Sequence, residues 1–370
     1  MKRHDVLLGG KLIGASSKIF VIAEIGINHD GSVDRALKLI DAAAECGADA
    51  VKFQTFRADR LMVPASARLA HQGEGKESAY EMFRRLELSW QDHRTLKSHA
   101  DCRGVLFLST PFDEESADFL DDLGVPAFKI ASSDITHVPL LRHLAQKKKP
   151  LLLSTGMSHM SEVEEAVNTM ESWGARDIVL LHCVSSYPAS PDSLNLRAIQ
   201  SLRERFGKPV GFSDHSEGML GALVAAALGA KVLEKHFTLD RNGIGPDHKL
   251  SMEPGELREL VRQLAIVEAS LGNGWKHPAK EEEQSRLASR RSVVTAVDIP
   301  MHETIQPWMV TCKRPGGGID PREIDLVTGS QARRHLAKDS ILGWSDLLMP
   351  DRHEAGSTQR TQSATACNLR

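Results

Sequence analysis

The chain is predicted to fold as a (β/α)8 barrel, an α/β architecture, followed by a small β-rich domain. Three observations predict it: eight short apolar runs recur between residues 18 and 271, amphipathic segments separate them, and the alternation stops after Gly274. Strand-helix units in series give a parallel sheet, and eight is the number that closes into a barrel. An open doubly wound sheet is the alternative.

The runs are IFVIAEI (19–25), DAVKFQT (49–55), VLFLST (105–110), AFKIAS (127–132), PLLLST (150–155), DIVLLHC (177–183), PVGFSD (209–214) and KVLEKHF (231–237). Between them, SVDRALKLIDAAAECG has apolar residues at helical spacing, a start signal at Ser32 and Gly47 just past its end. DEESADFLDDLG, MSEVEEAVNTMESWG and EPGELRELVRQLAIVEASLG repeat that pattern. The barrel is placed at 1–275, a charged linker without a long apolar run at 276–290, and the small domain at 291–350. The last stretch, 351–370, has almost no apolar content and reads as a disordered tail.

Of the 370 residues, 41% are hydrophobic and 26% charged, the composition of a soluble globular protein with ample material for a core. The formal charge of −3 gives no basic field to hold nucleic acid or an anionic membrane, so an anionic ligand must be met locally. Five scattered cysteines, odd in number and without a CxxC pair, argue against a disulfide framework and a cysteine-built zinc site, and fit a reducing cytoplasm. Asp5 and Lys11 interrupt an N-terminal run too short for a signal peptide. No stretch approaches the roughly 18 apolar residues that span a bilayer.

In such a barrel the reactive groups sit at the C-terminal ends of the strands. Glu24, Lys52, Gln54, Thr110, Lys129, Ser132, Ser154, His182, Ser213, His215, Glu234 and His236 all stand at those ends. Residues two apart share a face, which pairs Lys52 with Gln54, Ser213 with His215, and Glu234 with His236. Each alone has a bland reading, a lysine reaching solvent or a structural histidine, but the set across eight strand ends does not. By the same parity Lys235 faces the helix ring, where its stem can extend toward water.

His215 and His236 come from successive strands and can hold one divalent ion between them, leaving positions for water or substrate oxygens. Lys52 and Lys129 with the hydroxyls of Thr110, Ser132, Ser154 and Ser213 suit a small ligand carrying phosphate and a carboxylate. No GxxxxGK loop is present, so the phosphate belongs to a small metabolite. One lysine can instead form a Schiff base, as in aldolases. Glu24, Glu234 and Asp247 can each position a proton or a water, or simply pair a lysine. Tyr187 either lines a sugar site or packs a loop.

Eight motifs, FVIAEIGINHDG (20–31), VKFQTF (51–56), FKIASSDI (128–135), LLLSTGM (151–157), LLHCVSSYP (180–188), GFSDHSEG (211–218), LEKHFTLD (233–240) and GPDHKLS (245–251), resemble those of the bacterial N-acetylneuraminate (sialic acid) synthases. RRSVVTAVDI and KRPGGGI resemble their C-terminal antifreeze-like (SAF) domain. The resemblance runs from about residue 18 to 348.

It implies condensation of phosphoenolpyruvate with an open-chain acylamino sugar of mannose type, with a divalent metal and release of phosphate. The metal is manganese, with magnesium or cobalt as alternatives, and its ligands His215 and His236. The phosphoenolpyruvate site is Lys52, Thr110, Lys129, Ser132, Ser154 and Ser213. Glu24, Gln54, Tyr187 and Asp247 contact the sugar, and Glu234 stands beside the reacting centre. A domain-swapped homodimer is implied, in which Arg314 of the KRPG motif reaches the sugar's acetamido group in the partner subunit's barrel. Ser185 stands where some sialic acid synthases carry Asn near the sugar's acyl group, so the sugar is the open point, and a 2,4-diacetamido sugar of the legionaminic or pseudaminic type is the alternative. A glycan- or ice-binding protein with the barrel as carrier is the remaining possibility from another class.

Overall fold

A computed structural model describes residues 5–64 and 77–349. The tail expected at 351–370 lies outside the described residues. The chain divides into two compact units between Asn273 and Gly274.

The first unit opens with a hairpin, β1 (Val6–Leu8) and β2 (Lys11–Ile13), paired antiparallel. Eight strands follow: β3 (Phe20–Gly26), β4 (Ala50–Thr55), β5 (Leu106–Pro111), β6 (Phe128–Ile130), β7 (Leu151–Ser154), β8 (Ile178–Cys183), β9 (Val210–Asp214) and β10 (Val232–His236). Every neighbouring pair is parallel, and β10 pairs with both β9 and β3, so the sheet closes into a barrel. The helices between and after the strands are α1 (Val33–Glu45), α2 (Ala58–Leu61), α3 (Ala79–Leu86), α4 (Trp90–Arg103), α5 (Glu114–Asp122), α6 (Val138–Gln146), α7 (Met160–Ser172), α8 (Ala198–Phe206), α9 (Leu220–Ala227) and α10 (Pro254–Leu271). The Ser32 hydroxyl accepts from the Arg35 backbone N–H, which is the start signal read from the sequence.

Strand alternation divides the apolar residues into two layers. Val21, Ala23, Ile25, Val51, Phe53 and Phe107 point outward and pack with Leu39, Ile40, Leu96 and Leu140 of the helices. Phe20, Ile22, Ala50, Leu108, Leu152, Leu181 and Val232 point inward and fill the N-terminal half of the lumen. Val6, Leu8 and Ile13 of the hairpin join that inner cluster. Burying three such side chains stabilises the fold by about 1.5–3 kcal/mol each. The lumen is therefore dry and filled at its N-terminal end, and polar side chains on the same inward positions collect at the other.

The second unit contains α11 (Glu283–Ser289), two antiparallel pairs, β11 (Ser292–Thr295) with β12 (Val310–Lys313) and β13 (Gln331–Ala332) with β14 (Leu347–Leu348), and the short helix α12 (Ile324–Val327). Val293, Ile299, Ile305, Ile319, Val327, Leu336 and Leu342 form its own core. The segment expected as a plain linker thus contains a helix. Its sequence, EQSRLAS, has no apolar face from which to read one.

Candidate active site

Following one inward row up each strand gives the site. On β3 the row is Phe20, Ile22, Glu24; on β4 Ala50, Lys52, Gln54; on β5 Leu108, Thr110; on β10 Val232, Glu234, His236. The register sets Glu24 beside both His236 and Lys52, Gln54 beside Thr110, and Ser213 beside Glu234. Fourteen of the fifteen expected site residues line one cavity of about 300 Å³: Glu24, Lys52, Gln54, Thr110, Lys129, Ser132, Ser154, Ser185, Tyr187, Ser213, His215, Glu234, His236 and Asp247. The fifteenth, Arg314, is exposed in the second unit, just after β12.

The charges inside form one network. Lys52 Nζ lies 2.7 Å from Glu24 Oε2 and 3.8 Å from Glu234 Oε2, and donates to Thr110 Oγ1 at 3.1 Å. Lys129 Nζ lies 3.9 Å from Glu234 Oε1 and donates to the Ile130 carbonyl at 3.1 Å. Ser213 donates to Glu234 Oε1 at 2.8 Å, and Gln54 to Glu24 Oε1 at 3.4 Å. Gly26, at φ +52°, lets this packing occur, because a Cβ there would stand 3.0 Å from Glu24 Oε1.

Environment separates the two carboxyls. Burial pushes Glu24 up to about 7 against the pull of Lys52, and the Glu234 charge adds to the rise. Burial acts upward on Glu234 too, but Lys129, Lys52 and the Ser213 hydroxyl outweigh it and hold the group below the usual carboxylate range. Burial lifts Asp247 to about 6. Burial, together with Lys52, lowers Lys129, whereas Glu234 and Glu24 hold Lys52 above its ordinary value despite burial. A pair of titratable groups driven apart in this way marks an acid–base site.

His215 and His236 have ring centroids 5.5 Å apart, with Tyr187 packed 4.1 Å from the former and 6.2 Å from the latter. His215 Nδ1 donates to the Val184 carbonyl at 2.8 Å, which leaves Nε2 as a free lone pair. His236 Nδ1 is buried, 3.7 Å from Asp247 Oδ2, and has no hydrogen-bond partner among the described residues. Ser154 Oγ and Glu234 Oε2 share that state. Unpaired buried polar atoms are costly and rare, and these three lie where a ligand would satisfy them.

Two expectations change. Lys235 does not reach water: it is 2% exposed, its Nζ donates to Asp214 Oδ2 at 2.9 Å and to the Ser216 carbonyl, and Asp214 is itself 1% exposed. The partner is 21 residues away in sequence, on the adjacent strand, and was not visible from the stretch itself. His182 closes β8 but faces the helix ring, stacked on Phe212 with its Nε2 2.7 Å from the Leu194 carbonyl. Cys183 lines the cavity instead, with Met157, Phe83 and Phe112, none of which the sequence reading singled out. Parity with Ser185 and Tyr187 was the available signal for Cys183; the aromatic residues, from loops, had none.

Fold and cavity together define a (β/α)8 barrel protein whose mouth gathers two lysines, three carboxyls, two histidines and a set of hydroxyls. The chain belongs to the NeuB family, whose sequence model matches residues 39–276, and the SAF domain model matches residues 290–348. The N,N'-diacetyllegionaminic acid synthase of Legionella pneumophila is 43% identical over 92% of this chain and 97% of its own length. The N-acetylneuraminate-9-phosphate synthase of Mus musculus is 36% identical over 91% and 94%. The crystal structure of an N-acetylneuraminic acid synthetase from Leptospira borgpetersenii, in complex with citrate, matches with a TM-score of 0.70 at 37% identity, covering 76% of this chain and 95% of that one. Among the described residues no helix is long and apolar enough to cross a membrane.

Proposed function

We propose that the chain condenses phosphoenolpyruvate with an open-chain acylamino sugar aldehyde and water, giving a nonulosonic acid and phosphate. The observation that carries this reading is the pair of buried lysines, Lys52 and Lys129, flanking Glu234 among the hydroxyls of Thr110, Ser154 and Ser213. Two fixed cations and neutral donors match a compact ligand with a phosphate and a carboxylate. Asp247, Tyr187, Gln54 and Ser185 are left for the sugar. The names of the family's relatives support the same chemistry.

His215 and His236 fit a divalent ion, because the first presents Nε2 and the second an unpaired Nδ1. Among the described residues no cluster of three or more His, Cys, Asp or Glu side chains could cage one, so such an ion would draw its remaining ligands from substrate oxygens or water. When bound, manganese, or magnesium or cobalt in its place, supplies Lewis acidity at the aldehyde oxygen.

The residues divide the remaining work. Lys52 and Lys129 hold phosphoenolpyruvate so that its C3 faces the aldehyde carbon at bonding distance. A C–C bond forms there as the aldehyde C=O π bond breaks and its electron pair moves to the aldehyde oxygen. C2 becomes electron-poor, and the ionised Glu234 stabilises it. Water adds at C2 while Glu24, with its carboxyl near neutrality, takes one of its two protons. That proton passes to the aldehyde oxygen, and the other leaves with phosphate. The C2–O bond to phosphate breaks, the pair leaves with phosphate, and both lysines stabilise that anion. We place Arg314 of a partner subunit at the sugar's acyl group in a domain-swapped homodimer.

Two sugars fit the reading. N-acetylmannosamine gives N-acetylneuraminate; a 2,4-diacetamido-6-deoxy sugar gives a legionaminic-type product, which the 43% identity to the Legionella synthase favours over the 36% to the mouse enzyme. Phosphate release with phosphoenolpyruvate against N-acetylmannosamine, its 6-phosphate and 2,4-diacetamido sugars decides between them. Release with none of these, together with borohydride trapping of pyruvate on Lys129, would replace the reading by a Schiff-base aldolase, to which the lowered Lys129 is also suited.

A further inference from the structure

The loop after β10 brings Asp247 to the cavity, yet the groups that hold this loop do not line the cavity at all. His248, next in the chain, is 2% exposed and uses both ring nitrogens. Its Nε2 lies 3.2 and 3.1 Å from the two carboxylate oxygens of Asp30, and its Nδ1 2.7 Å from the Thr238 hydroxyl. A carboxylate only accepts, so Nε2 carries the proton; the Thr238 hydroxyl, with one proton, lies between Nδ1 and the Asp240 carbonyl, 3.1 Å away. Asp30 is anchored in turn by Arg35 of α1.

The ring lies flush on the loop's own backbone. A Cβ at Gly243 would stand 2.5 Å from His248 Cδ2, and one at Gly245 2.5 Å from Asp30 Oδ1 and 3.0 Å from the ring. That close approach accounts for both glycines of the stretch GIGPDH. A second tether acts on Asp247 directly. Its carbonyl accepts the Ser251 hydroxyl at 2.6 Å, Ser251 accepts from the Asn28 amide at 2.8 Å, and Asn28 also donates to the Phe237 carbonyl at 2.9 Å.

Asp247 is therefore held from both sides by residues rooted in the loop after β3, Asn28 and Asp30. Its own carboxylate meets His236, at 3.7 Å, and neither lysine stands within ion-pair distance of it. We propose that Asn28, Asp30, Thr238, His248 and Ser251 are positioning residues that fix Asp247 for the acylamino sugar and leave phosphoenolpyruvate binding untouched. The substrate assignment in this proposal rests on the reading of the cavity given above.

The test combines two measurements on the full chain: phosphate release with each substrate varied in turn, and amide hydrogen exchange across residues 239–252 without substrate. His248→Ala is expected to raise the KM for the sugar by about tenfold or more, since a small misplacement of a binding group costs that much, with the KM for phosphoenolpyruvate changed less than about twofold. Exchange in the loop should accelerate. His248→Gln, whose amide nitrogen can reach Asp30, should recover part of both effects, and Thr238→Val should show the same pattern at smaller size. Equal rises in both KM values, or unchanged exchange in both His248→Ala and Thr238→Val, would overturn the proposal. If His248→Ala does not fold, Thr238→Val decides. Should the wild-type chain release no phosphate with any acylamino sugar, the cavity reading fails while the exchange data still decide whether the clamp exists.

Discussion

Glu234 and His236 face the lumen, and Lys235 between them faces the helix ring; on this one strand the two sides treat buried charge in opposite ways. Outside, Lys235 is satisfied by Asp214 and the Ser216 carbonyl, and Asp214 accepts from both the backbone N–H and the hydroxyl of Ser216 at 2.8 and 2.6 Å. Lys235 Nζ, the Ser216 N–H and the Ser216 hydroxyl each have an acceptor there, and the pair fixes the turn that carries His215. Inside, Glu234 Oε2, His236 Nδ1 and Ser154 Oγ have no hydrogen-bond partner among the described residues, and two carboxyls are driven apart in their affinity for a proton. Buried charge alone does not mark a site. What distinguishes the inner group is incomplete satisfaction, which costs the fold stability and which a ligand relieves.

The largest expected effect lies on the inner side. His236→Ala, or chelation of divalent ions, should lower phosphate release by about a thousandfold or more, a loss of the order that removing an electrophilic centre produces. Activity retained through both treatments would break the comparison. On the outer side, Lys235→Met leaves Asp214 buried without its partner and should cost about 3–5 kcal/mol in denaturant unfolding. Adding Asp214→Leu to it should recover part of that loss. Glu234→Gln, one residue away, should cost the fold much less while removing activity, and equal losses of stability on the two faces would erase the distinction.

The pH dependence sharpens it further. Glu24 takes a proton from water in this account and has its carboxyl near 7, so it is ionised and able to act above that pH and protonated below it. With metal saturating, kcat/KM should therefore fall about tenfold per pH unit below 7, and Glu24→Gln should lose that limb along with most of the rate. A wild-type profile flat between pH 5.5 and 8 would remove Glu24 from the role. The smallest effect is expected for Ser154→Ala: about tenfold in the KM for phosphoenolpyruvate, the worth of one hydrogen bond to a charged group, with unfolding unchanged.

Much of this was legible in the sequence because a barrel strand has a simple grammar. The inward row switches from apolar to polar as each strand nears its C-terminal end, and parity then assigns Lys52, Gln54, Glu234 and His236 to the lumen without any structure. The N-terminal hairpin was not legible: its strands are three residues each, and Leu7 and Leu12 face solvent, so no alternating pattern emerges. Lys235 was placed on the correct face but expected to reach water, because parity reports a direction and not a partner. The clamp around His248 was hidden for the same reason, since Asn28 and Asp30 lie more than 200 residues from the groups they hold. Pairings between strands, such as Lys235 with Asp214 across β10 and β9, and those across the seam where β10 meets β3, are the ones a linear reading misses.

The central claim, that the inner group joins phosphoenolpyruvate to a sugar aldehyde through water addition at C2, is tested most directly by running the reaction in ¹⁸O-labelled water. The account predicts unlabelled phosphate and label at C2 of the nonulosonic acid, because the C2–O bond breaks. Label appearing in phosphate, or phosphate released without the sugar, would contradict it.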